Sequence, residues 1–410
     1  MKFLKHIINS VKPHFAEGGK LSRFWVVFDS LETFTFTPGH VTHNGSHIRD
    51  GIDLKRTMFT VIVALIPALL FGTWNIGDQY YTSIGQDADL MAKLFEGALK
   101  VIPLILVSYG VGLGIEFMFA GLRNHSINEG FLVSGMLIPL IMPVDVPLWM
   151  VALAVAFAVI IGKEVFGGTG MNIVNVALTA RAFLFFAYPK QMSGEIWVHN
   201  VGAAKEAGKL VEGVTGATAL GRLAETVGVA PGTSPKVMEL FDQGGMFSLH
   251  NCIIGNIPGS IGETSVIAIL IGAFILIATG IGSWRIMTSF LAGGLIMGLL
   301  FKLLGLNDFM LMGSETLWYV APVFQVVMGG FMFGMVFMAT DPVTAASTNK
   351  GKLIYGFFGG FFSIMIRIFN PAYPEGVMMA ILFMNVMAPM IDHYVIQANI
   401  NRRQKRLQTT

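Results

Sequence analysis

The sequence predicts an all-α integral membrane protein, with about ten transmembrane helices in two inverted five-helix repeats that include half-helices, as in transporters and channels. Three observations predict it. Of 410 residues, 54% are hydrophobic and only 13% charged, where an ordinary soluble domain carries roughly 25% charge. Ten apolar segments can be read against the roughly 20 residues needed to cross the hydrocarbon core. Lys and Arg gather at both ends of the chain, which puts both termini on the cytoplasmic side and makes the span number even.

The arm 1–55 carries Lys2, Lys5, Lys12, Lys20, Arg23, Arg49 and Lys55. Its start, MKFLKHIINSVKPHF, has no long apolar core, so the first span is expected to serve as its own insertion signal. Apolar segments follow at 58–75, 97–122, 129–143, 147–166 and 171–188, making a first five-helix unit over 56–189. The third, FLVSGMLIPLIMP, is short and interrupted by Gly and Pro, the mark of a half-helix ending inside the protein. The polar stretch 190–248 follows five spans and is expected on the far, periplasmic side. A second unit, 249–393, opens on the broken entry HNCIIGNIPGSIG and contains 263–283, 286–304, 317–340, 353–369 and 375–393. The tail 394–410 holds Arg402, Arg403, Lys405 and Arg406 and is expected to be cytoplasmic. Weak echoes, NEGFLVSGMLIPL against GNIPGSIGETSVIAIL and GTGMNIVNVALTARA against FMATDPVTAASTNKG, suggest the repeat. An odd number of spans per half would invert the second copy.

The single cysteine, Cys252, excludes an internal disulfide and supplies at most one ligand to a metal or iron–sulfur centre. Redox chemistry in this chain must therefore use an organic cofactor or another chain. No Walker motif, metal-ligand spacing or Ser-His-Asp arrangement rises above scatter, and GVGLG lies within an apolar span with no preceding strand, so it is no nucleotide fingerprint.

In EGVTGATALGRL, Glu212, Thr215, Gly216, Ala217 and Thr218 form an acid, a hydroxyl, two small residues and a second hydroxyl. Thr218 precedes Leu220, Leu223 and Val227 at helical spacing, so its hydroxyl can serve as a helix cap. The same pattern resembles the site at which a flavin transferase esterifies a threonine with the phosphate of FMN. A phosphate at a helix N-terminus is electrostatically favoured, so the two readings are compatible.

That resemblance extends through GKEVFGGTGMNIVNVALTARAFLFFAYP, GNIPGSIGE, MATDPVTAASTNKGK and IRIFNPAYPEGVMMAILFMNVMAPMIDH. Together, from about residue 40 to the tail, they resemble the NqrB family, the B subunits of the bacterial sodium-translocating NADH:quinone oxidoreductase. The D-type component of the Rnf complex is a near relative that lacks the long N-terminal arm. The resemblance implies a multi-pass subunit of the bacterial inner membrane that assembles with the other subunits and is not active alone. It implies covalent FMN on Thr218, non-covalent riboflavin near Asn172 and Asn175, ubiquinone or menaquinone as acceptor, and Na+ as the transported ion. Quinone is expected near Gly112, Leu113, Gly114 and Glu116, although Gly-x-Gly in a span equally signals close helix packing. Many relatives read NPA where this chain has Asn175, Val176 and Ala177, and the missing proline is expected to straighten a local break.

Ionisable residues in spans mark sites by default because charge in hydrocarbon is expensive. Glu116, Asp341, Asp392 and Glu263 qualify, with Arg181 and Arg367 as possible pairing partners. On an α-helix Phe333, Phe337 and Asp341 fall in one stripe, with Gly330 and Gly334 removing bulk beside it. Two rings before a carboxylate can form an apolar constriction on an ion path, and ordinary aromatic packing is the bland reading. The resemblance favours the path, with Phe333, Phe337, Asp341, Asp392 and Glu263 along it. No local feature distinguishes Na+ from a proton. The competing functions are a D-type Rnf subunit, a small-solute transporter or channel, and a scaffold for other redox subunits.

Overall fold

The structure is a computed structural model that describes residues 2–15, 54–123, 130–199, 216–224, 239–241, 244–304, 320–370 and 375–409, with scattered positions between 21 and 48 and Tyr373. Glu212 and Thr215 lie outside the described residues. Regular structure among those residues is entirely helical. In lipid this is the physical expectation, since a helix satisfies its own backbone polar groups.

After an N-terminal helix α1 (Lys2–Phe15), the first half contains α2 (Leu54–Ser83), α3 (Leu90–Arg123), α4 (Phe131–Leu140), α5 (Leu148–Gly162) and α6 (Val176–Ala187). A short α7 (Ala219–Ala224) comes next. The second half contains α8 (Leu249–Ile254), α9 (Val266–Ala278), α10 (Trp284–Leu304), α11 (Val320–Val327), α12 (Phe331–Phe333), α13 (Asn349–Phe369) and α14 (Val377–Thr409). Six helices among the described residues are long and apolar enough to cross a membrane: α2, α3, α5 with its following turn, α10, α13 and α14. The apolar helices α4, α6 and α9 have 10, 12 and 13 residues. At 1.5 Å per residue they reach only about 15 to 20 Å, short of a core about 30 Å thick.

The end of α4 (141–144) and the stretch before α9 (260–265) are irregular backbone buried in protein, the condition for such backbone at membrane depth. The Gly262 N–H donates to the Leu140 carbonyl at 2.7 Å, tying the stretch after α8 to the end of α4. Asn75 donates to the Ile257 carbonyl at 3.0 Å. Ser108 and Tyr109 on α3 donate to the Gly135 and Leu132 carbonyls of α4. Helices α10 and α13 pack backbone to backbone. A Cβ on Gly293 would sit 2.0 Å from the Phe357 carbonyl oxygen, and one on Gly360 1.9 Å from that of Phe290. Glycine is what lets these backbones touch.

Several boundaries differ from the sequence reading. Helices α2 and α3 have 30 and 34 residues, overrunning the apolar segments 58–75 and 97–122, because helical hydrogen bonding continues past the hydrocarbon edge. Helix α14 runs on to Thr409, so the basic tail continues the last span instead of being a separate element. The break before α6 survives without a proline. Asn175 is extended (φ −65°, ψ 126°), and its side chain accepts from the Leu178 N–H, which supplies the start signal that proline would have reinforced. The segment 317–340 is not one helix. It breaks at Gly329 (φ +62°) and, after α12, continues as a π-helical turn, Gly334–Met338.

Candidate functional site

Asn175 caps α6 at one wall of a cavity of about 80 Å³ lined by residues of both halves. Its amide Nδ2 donates to Asp341 Oδ2 at 3.3 Å. The Thr344 hydroxyl donates to the same oxygen at 3.0 Å, and the Val343 N–H donates to Oδ1 at 3.1 Å. Asn172, Ser134, Lys163, Thr340 and Phe337 also line this space. Asn172 donates to the Val174 carbonyl at 3.1 Å, which holds the loop before α6 in shape. The candidate riboflavin residues and the candidate ion carboxylate, separate in the sequence, therefore share one cavity.

The aromatic stripe changes form. The π turn and the end of the helix before Asp341 remove the regular i, i+4, i+8 spacing on which it was drawn. Phe333 and Phe337 nevertheless remain neighbours, with centroids 5.0 Å apart and planes at 50°, and both are buried. The two glycines do not make room for the rings. A Cβ on Gly330 would lie 2.6 Å from Glu263 Oε1, and one on Gly334 would meet Val377 at 2.9 Å. Gly272 and Gly262 are the residues that accommodate Phe337 and Phe333. The run from Gly330 to Asp341 thus has Glu263 beside its first residue, the two rings in the middle, and a carboxylate at its end.

Glu263 is buried and paired with Arg181 at 3.1 Å. Arg181 also donates to Ser260 at 3.3 Å and to the Glu375 carboxylate, and it lies 5.8 Å from the Trp197 ring. Tyr373 packs against Phe185 at 4.3 Å, its hydroxyl buried with no hydrogen-bond partner among the described residues. Burial, and then the nearby Glu375 carboxylate, push its phenol above the ordinary tyrosine range.

Asp392 has local partners. It accepts from the Ser347 N–H at 2.6 Å and, through its other oxygen, from the Thr348 N–H and hydroxyl at the start of α13. Glu116 pairs with Lys163, both buried. A Cβ on Gly112 would fall 2.0 Å from the Phe131 ring, so this glycine serves close helix packing, whereas Gly114 has nothing within 4 Å. Leu113 is half-buried against the core.

Thr218 is half-buried at the start of α7, and its Oγ1 accepts from the Gly221 N–H at 3.1 Å, the capping geometry expected. The helix has only six residues, so the electrostatic help expected from its dipole is small. Ala217 is buried. Gly216 accepts from the Trp197 N–H at 3.1 Å, and a Cβ there would crowd the Glu195 carbonyl. A recess behind Thr218 is lined by Ser260, Thr264, Glu263 and Glu375, and its two carboxylates disfavour a phosphate inside it.

Sequence reasoning names Arg181 only as one of two possible partners, counts Lys163 only among the short-loop charges on the cytoplasmic side, and passes over Glu375. In the sequence Lys163 falls near the end of the apolar segment 147–166, where a charge looks solvated. The signal that could have found it is its position inside the apolar segment 147–166, next to Glu164 and ahead of a glycine cluster.

The model of the NQR2, RnfD, RnfE family matches residues 41–401. The B subunits of the Na(+)-translocating NADH-quinone reductases of Chromohalobacter salexigens and Stutzerimonas stutzeri are each 42% identical to the chain, covering 98% of it and 96% and 99% of themselves. That of Klebsiella pneumoniae is 40% identical over 98% of the chain and 99% of its own length. A match over nearly the whole sequence, on an all-helical membrane fold, settles the kinship: the chain belongs to the NQR2, RnfD, RnfE family, as a full-length relative of these B subunits.

Proposed function

We propose that the chain is the membrane subunit of a sodium-pumping NADH:quinone reductase that carries covalent FMN and riboflavin, passes electrons to quinone and provides the ion path. What supports this most is the cavity in which Asn172, Asn175, Phe337 and Asp341 meet. Its amides and hydroxyls suit the donor and acceptor edge of an isoalloxazine ring, which must be paired when buried. Asn172 and Asn175 would hold the riboflavin, which supplies one-electron and two-electron redox chemistry. Thr218 would carry FMN as a phosphoester, and its cap role leaves the hydroxyl proton uncommitted among the described residues. Glu212, Thr215, Gly216 and Ala217 would be read by a flavin transferase.

In the ion path Glu263 and Asp341 are the carboxylates on either side of the Phe333 and Phe337 rings. Asp392 acts on the path through the Ser347–Thr348 turn that it holds. Quinone is assigned to the neighbourhood of Leu113, Gly114 and Glu116. The chain reads as ten passes in two inverted five-helix repeats, 56–189 and 249–393, with both termini cytoplasmic in the inner membrane and 190–248 periplasmic. NADH oxidation needs partner subunits, and the long arm favours a B-type over a D-type assignment.

The test is a denaturing gel of protein purified from cells that contain the transferase, viewed under ultraviolet light. A fluorescent band that disappears in Thr218→Val is the expected result. A dark wild-type band overturns the covalent flavin.

A further inference from the structure

The cavity beside Asn175 has two charged residues in its lining, Asp341 and Lys163. Asp341 is held by three hydrogen bonds. Lys163 is different. It follows α5 directly, is 3% exposed, and its ammonium has one acceptor among the described residues, Glu116 Oε1 on α3. The other carboxylate oxygen, Glu116 Oε2, is buried with no partner among them.

The backbone around Lys163 is fixed from several directions. Its carbonyl accepts from the Phe166 and Gly168 N–H groups at 3.2 and 3.1 Å. The adjacent Glu164 pairs with Arg123 at 3.2 Å, so the turn is pinned to α3 at two levels, by Lys163 to Glu116 and by Glu164 to Arg123. A buried ion pair usually does no better for stability than apolar residues of the same size. This pair leaves donors and an acceptor unspent and has its cation on a cavity wall. That arrangement suits a cation whose counter-charge arrives with the ligand.

We propose that Lys163 sets the reduction potential of the redox ring bound in this cavity, with Glu116 as the counter-ion that attenuates its charge. The inference rests on the riboflavin reading above. When an upstream reduced flavin gives one electron to a neutral ring, no bond forms or breaks, and the cavity gains one negative charge. Lys163 meets that charge without reorganisation, in surroundings where water screens little. Glu116 withdraws part of the attraction by competing for the ammonium. The two residues therefore act with opposite signs. Lys163 is a positioning residue for charge, and Glu116 is the link between this cavity and the quinone side of α3.

The experiment uses the assembled complex, with Lys163→Gln, Lys163→Arg and Glu116→Gln compared to wild type. Riboflavin is extracted and quantified, and the potential of the non-covalent flavin is measured by spectroelectrochemical titration. Lys163→Gln should disfavour the reduced state roughly tenfold, about 59 mV for one electron. Lys163→Arg should restore it, and Glu116→Gln should shift it the opposite way. A structural role alone would not produce opposite signs. Unchanged potentials in Lys163→Gln and Glu116→Gln, with riboflavin present, overturn the role of Lys163. If Lys163→Gln loses the flavin, Glu116→Gln decides: a higher potential supports the proposal and an unchanged one ends it. Absence of riboflavin from the wild-type complex overturns the reading of the cavity itself.

Discussion

Asn175 and Asp341, 166 residues apart in the chain, share a hydrogen bond of 3.3 Å across the cavity between the two halves. One end of the bond belongs to a helix cap and the other to the turn that follows a π-helical segment. A change at either end is therefore felt in both halves.

Asp341→Ala should lower sodium-stimulated quinone reduction about tenfold, the scale of losing a charged hydrogen-bonding group, while flavin attachment at Thr218 persists. Activity assays across a sodium titration, with in-gel fluorescence on the same preparations, measure both. Unchanged sodium dependence removes Asp341 from the path. Asn175→Ala should cost about 1 kcal/mol through the lost cap and reduce riboflavin content as well.

Arg181 stands between two carboxylates, at 3.1 Å from Glu263 and in direct contact with Glu375. Arg181→Met leaves the buried Glu263 and the partly buried Glu375 without their partner and should destabilise by about 3–5 kcal/mol. Adding Glu263→Gln and Glu375→Gln should recover much of that loss. Thermal unfolding in nanodiscs reads the difference, and a triple variant no more stable than the single one would contradict the pairing.

The rings of Phe333 and Phe337 should act as a barrier. Phe337→Ala is expected to raise passive sodium leak into proteoliposomes several-fold without substrate, because it opens the apolar constriction next to Asp341. Leak equal to wild type would return these rings to ordinary packing.

Gly112→Ala and Gly114→Ala separate packing from quinone binding. The first places a methyl group 2.0 Å from the Phe131 ring, and the second meets nothing within 4 Å. Overpacking should cost Gly112→Ala about 1–3 kcal/mol, measured as a lower Tm. Gly114→Ala should keep its Tm. A raised KM for quinone in Gly114→Ala supports the assignment there, and an unchanged KM withdraws it.

Much of the site is legible in the sequence because chemistry at a point leaves a local mark. Thr218 with its small neighbours, Asn175 at a helix entry, and a carboxylate after two phenylalanines are each visible within a dozen residues. Gly330 shows the limit. Spacing assigns it to the phenylalanines, but it makes room for Glu263, which comes from a different part of the chain. Lys163 escapes sequence reasoning for a related reason: its partner, Glu116, lies on another helix, and nothing in the intervening sequence points to it.

By itself the sequence determined the membrane class, the short interrupted helix α4 and the family, since these follow from hydrophobic length, Gly and Pro punctuation, and contiguous motifs; the shortness of α6 and α9 came from the structure. Only the tertiary structure decided that the Asn172–Asn175 loop and Asp341 share one cavity, that Glu263, Arg181 and Glu375 form one cluster, and that Gly112 serves packing. The physical reason is that burial and electrostatic pairing depend on which helices meet. Local periodicity specifies each helix and its apolar face, and the pairing is fixed by close packing between segments far apart in the chain.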